Sequence, residues 1–82
     1  MSEALSENAQ RLLGRVVILG GEYPGGLVQG SILWEAADLK YEAYLDAAAE
    51  LVEKGLAESL ANASDFPGLK ATPAGTERIR GN

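Results

Sequence analysis

The chain has 82 residues and a net charge of −5, from 12 Asp and Glu against 7 Lys and Arg, and it contains neither cysteine nor histidine. A chain this short holds one hydrophobic core, so residues 1–82 are expected to form a single domain, and 46% hydrophobic residues place it among folded rather than disordered chains. Without thiol or imidazole, disulfides, thiolate nucleophiles, the usual general base near neutral pH and the commonest metal ligand are excluded, which leaves carboxylates, lysine and hydroxyls as the chemical resources; no motif among these nominates a catalytic residue, metal site or cofactor.

A first helix is expected from about Glu3 to Ile18, capped by Ser2, with Leu5, Ala9, Leu12, Leu13, Val16 and Val17 on one face. Gly20 and Gly21 end it, and the glycine-rich run Gly20 to Gly26 reads as a turn. The longest apolar run, Val16 to Leu19, is too short to cross a bilayer, and no basic region precedes an apolar core at the N-terminus. A cytoplasmic protein with no membrane partner is therefore expected. Leu27 to Gln29 suits a short extended segment, and Ser31 suits the cap of a second helix, Ile32 to Ala37, presenting Ile32, Leu33, Ala36 and Ala37 to the core. Gly25 to Ser31 has the outer glycine spacing of a phosphate-binding loop but lacks its lysine, so it too reads as a turn.

Asp38 to Leu56 carries the strongest helical pattern. Tyr41, Tyr44, Leu45, Ala48, Leu51 and Val52 form an apolar stripe, Asp38 is placed to cap the start, and Gly55 suits a left-handed exit. Ala57 to Leu60 and Leu69 to Thr72 alternate in polarity as the strands of a hairpin, joined by the polar loop Ala61 to Gly68. Thr72-Pro73 opens a last short helix ending at Arg80, which Gly75 is expected to weaken.

Two stretches, Leu51-Val52-Glu53-Lys54-Gly55-Leu56-Ala57-Glu58 and Leu69-Lys70-Ala71-Thr72-Pro73-Ala74-Gly75, together with this order of elements, resemble the winged-helix domains of small bacterial and archaeal regulators. The resemblance covers nearly all of Leu12 to Arg80. It implies an α+β fold with a three-helix helix-turn-helix core, a two-stranded β-hairpin wing and a short C-terminal helix. In DNA-binding members the third helix enters the major groove. Carried over, that implies Glu42, Asp46, Ala49, Glu50 and Glu53 as the outward positions of the helix and, for a member that binds DNA, Lys40 and Tyr41 at the helix start and Lys70 of the wing as the contacts to test.

Helical geometry alone turns Glu42, Asp46, Ala49, Glu50 and Glu53 away from the apolar stripe. Four of these five positions are carboxylates, and each one brought near a phosphate adds about 1 kcal/mol of repulsion at ~4 Å in a water-like dielectric. The plainest reading is a solvated face, and the alternative is a docking surface for a basic partner. Side chains along a straight helix do not converge on an ion, so no metal is expected there. Trp34, where winged helices usually have a small residue, marks either a repacked helix pair or an exposed aromatic anchor. If the acidic face is only solvated, replacing Glu42, Asp46 and Glu50 by glutamine is expected to leave stability unchanged or slightly raised.

Two functions follow. The first is a non-catalytic, regulatory macromolecule-binding module that binds a protein partner or self-associates, with Trp34, Tyr41, Glu42, Asp46 and Glu50 as contacts. The second is a DNA-binding transcriptional regulator using Lys40, Tyr41 and Lys70. Salt separates them, because phosphate contacts weaken steeply as it rises and apolar association does not.

Overall fold

The computed structural model describes residues 5–22, 24–60 and 68–81. Helix α1 (Glu7–Gly20) starts where the Ser6 hydroxyl accepts the Ala9 N–H at 3.1 Å, with Glu7 adding a carboxylate at the positive end of the helix dipole. Leu5 and Ser6 are not helical, so the expected start near Glu3 moves to Glu7; the Ser2 cap itself lies outside the described residues. The six apolar residues expected on one face, Leu5, Ala9, Leu12, Leu13, Val16 and Val17, are all buried.

A short 3₁₀ turn (Pro24–Gly26) leads into β1 (Leu27–Val28) and then α2 (Gly30–Ala37). Gln29, not Ser31, occupies the N-cap of α2 and makes no side-chain capping bond there. Leu33 and Ala37, one turn apart, take the buried face against α1 and β3, which leaves Ile32 37% exposed rather than in the core. Asp38 departs further from expectation. It takes a left-handed backbone (φ 55°, ψ 48°) and donates its N–H to the Trp34 carbonyl at 3.2 Å, so it closes α2 instead of capping the next helix. Aspartate is one of the few side chains that accept this conformation, because its short polar group bonds locally.

Helix α3 (Tyr41–Glu53) therefore begins with Lys40 at its N-cap. Its exit follows the sequence closely. Gly55 has φ 74°, its N–H reaches the Val52 carbonyl at 3.0 Å, and the Leu56 N–H reaches the Leu51 carbonyl at 2.9 Å. This double closure satisfies carbonyls that a helix end otherwise leaves without partners.

Strands β2 (Ala57–Leu60) and β3 (Gly68–Ala71) pair antiparallel, and β1 pairs with the other side of β3. The sheet thus has three strands in the order β1-β3-β2, not the two of the expected hairpin. Val28 stands opposite Leu69, and both are fully buried; closing the core over these two apolar residues is what recruits β1. Within the expected loop, residues 61–67 lie outside the described residues.

Helix α4 (Pro73–Arg80) is fastened to the exit of α3. The Thr72 hydroxyl accepts the Gly75 N–H at 3.1 Å and donates to the Gly55 carbonyl at 2.7 Å, while the Thr72 N–H reaches the Leu56 carbonyl at 3.1 Å. A Cβ at the buried Gly75 would collide with the Leu56 carbonyl oxygen. The glycine expected to weaken α4 is what lets it sit there.

Together these elements make an α+β fold of four helices and a three-stranded antiparallel sheet among the described residues. Helix α1 packs against the other three helices and β3, around Tyr44, Leu12, Leu13, Leu33, Leu51 and Leu69. Truncating any one of these leucines to alanine costs about 2–5 kcal/mol.

Candidate functional site

Which part of α3 faces outward is decided by what packs on it. Its buried residues are Tyr44, Ala47, Ala48 and Leu51, turned toward α1 and β2. The expected stripe was wider. Tyr41 is 44% exposed, Val52 is 40% exposed and Leu45 is half-buried, so the side of the stripe that these residues form is left at the surface. Ala47 takes the place in the core that a larger side chain would have announced in the sequence.

The outer half of α3 therefore has two edges of different chemistry. One is apolar: Leu45, Ala48, Ala49 and Val52, with Glu53 and Ser59 of β2, line an open groove of about 370 Å³. Tyr41 lies on the same edge by helical spacing, at the N-terminal end. The other edge is acidic: Glu42, Asp46, Glu50 and the cation Lys40 line a trough of about 480 Å³ together with Ser6 and Asn8 at the start of α1.

Glu50 is not simply solvated. One of its carboxylate oxygens accepts the Ser6 N–H at 2.9 Å and the other accepts the Ser6 hydroxyl at 2.8 Å. These bonds, the backbone one first, hold its carboxyl below the ordinary value, and the positive charge of Lys54 adds to the effect. The same hydroxyl caps α1, so Ser6 joins the acidic edge of α3 to the helix start beside it. Ser6 was missed from the sequence, although a serine directly before Glu7 is an ordinary helix-start signal.

The structure brings Lys40, Glu42, Asp46 and Glu50 into one trough and leaves Trp34 out of it. Trp34 packs half-buried against the core with its indole nitrogen enclosed. Lys70 is exposed on β3, in register with Glu58 on β2 and Leu27 on β1. Opposite charges in that position attract across the ladder.

Among the described residues no three carboxylates are grouped so as to hold a metal ion, and no helix is long and apolar enough to cross a membrane. Compared with protein-family models, with curated proteins and with solved structures, the chain matches none.

Proposed function

We propose that the chain is a non-catalytic winged-helix module that binds another protein through the outer surface of α3. The order α1-β1-α2-α3-β2-β3-α4, the left-handed exit at Gly55 and the Thr72 cap all agree with the winged-helix resemblance. One observation carries the choice of partner. The position that would meet a nucleic acid offers an apolar edge, Tyr41, Leu45, Ala49 and Val52, beside a carboxylate edge, Glu42 and Asp46. Apolar side chains left at the surface beside a groove are what a protein partner covers, and carboxylates release no counterions from phosphate.

The DNA reading would rest on Lys40 and Lys70. Lys40 shares its trough with three carboxylates and Lys70 stands opposite Glu58, so each positive charge is offset well within a screening length of about 10 Å. A low-salt titration of labelled mixed-sequence duplex DNA, followed by anisotropy, tests the choice. No saturable binding in the micromolar range is expected. Binding that weakens steeply with salt, and is lost on Lys40→Glu or Lys70→Glu, would establish the nucleic-acid reading instead.

A further inference from the structure

We infer that the partner taken by α3 is a second copy of this chain, which lays the outer face of its own α1 along that surface; this rests on the reading of α3 as a protein-docking surface. Ile18, at 58%, is the most exposed large hydrophobic among the described residues. It shares the outward face of α1 with the exposed Arg11 and Arg15, at i, i+4 and i+7. Helix α3 repeats this spacing in complementary chemistry, with Glu42, Asp46 and Ala49.

When the two helices lie parallel with Arg11 level with Glu42, Arg15 comes level with Asp46. Ile18 then arrives at Ala49, in the groove between Leu45 and Val52. A symmetric pairing of α3 with α3 through Glu42 and Asp46 would instead set carboxylate against carboxylate, which opposes association. The α1-on-α3 contact joins two different patches, so each pair keeps one free α1 face and one free α3 face. Further copies add, or a ring closes. The charge pairs lie at the rim, so salt weakens the contact without abolishing it.

The test is sedimentation velocity of the full chain from micromolar to millimolar concentration at low salt. The average mass should rise with concentration beyond that of a dimer or settle at a ring. Arg11→Glu with Arg15→Glu should weaken association by roughly tenfold or more, and so should Glu42→Arg with Asp46→Arg. A chain carrying all four changes should associate again, because both pairs return with their signs exchanged. All four side chains are exposed, so thermal unfolding should be little changed and a lost contact is not a lost fold. Association that survives either reversal, or a four-fold variant that stays monomeric, would overturn the docking. A wild-type chain that is monomeric throughout and ignores DNA overturns self-docking but leaves α3 to another protein; DNA binding overturns both.

Discussion

Tyr44 is the largest side chain fully enclosed in the core, and burial pushes its phenol from 10.0 up to about 12. Below the ordinary value the phenol is neutral whether the chain is folded or not, so it adds no pH dependence there. Between pH 10 and about 12 only the unfolded chain releases the proton, and the folded state loses about 1.4 kcal/mol per pH unit. Urea unfolding across that window should show the loss, and Tyr44→Phe should flatten it; an unchanged alkaline slope would assign the effect to another group. Glu50 acts in the opposite direction. Its carboxyl is held low by Ser6, so its contribution is present above the ordinary carboxylate value and disappears as acid protonates the folded form. Glu50→Gln should cost up to about 1 kcal/mol at neutral pH, the bond being screened by water, and should flatten acid unfolding below about pH 5. Glu42→Gln and Asp46→Gln should stay within about 0.5 kcal/mol. The expected neutrality of all three replacements is thus narrowed to two. That Glu50 meets Ser6 could not be read from the chain, because the two are 44 positions apart.

Elements were legible where a local signal had no competitor. The apolar face of α1, the glycine exit of α3 and the Thr72-Pro73 start of α4 each depend on residues within one or two turns, and each stands where the pattern put it. Asp38 had two local uses, capping α3 or closing α2, and the bend between these helices selected the second. Two glycines inside α-helices, Gly14 and Gly75, show how packing decides the sign of one change. Nothing lies within 4 Å of a Cβ built at Gly14, so Gly14→Ala should gain up to about 1 kcal/mol from helix propensity. At Gly75 the same methyl meets the Leu56 carbonyl oxygen, so Gly75→Ala should lose about 1–3 kcal/mol despite that propensity. In thermal unfolding each kcal/mol moves the midpoint by about 4–8 °C in a domain of this size, and the two shifts should have opposite signs. A Gly75→Ala protein as stable as wild type would mean that α4 does not rest on the α3 exit.

On the scale of the whole molecule, a net charge of −5 sets a field that repels polyanions. What contacts form nevertheless depends on which patches oppose it. Arg11 and Arg15 of α1 are exposed one turn apart, whereas Lys40 lies in a trough with three carboxylates and Lys70 stands opposite Glu58, so exposed positive charge is offered by the first helix rather than by the third. This distribution is why assembly through α1 and α3 is expected where phosphate binding is not. The amino-acid order by itself determined the α+β class, the helix faces with a full apolar period and the absence of thiol and imidazole chemistry, because these follow from composition and from contacts within a few residues. Only the tertiary structure decided the third strand, the exposure of Val52 and the Ser6–Glu50 bond. Each depends on which distant segment covers a given face, and a periodic pattern shows that a face is apolar without showing what lies against it.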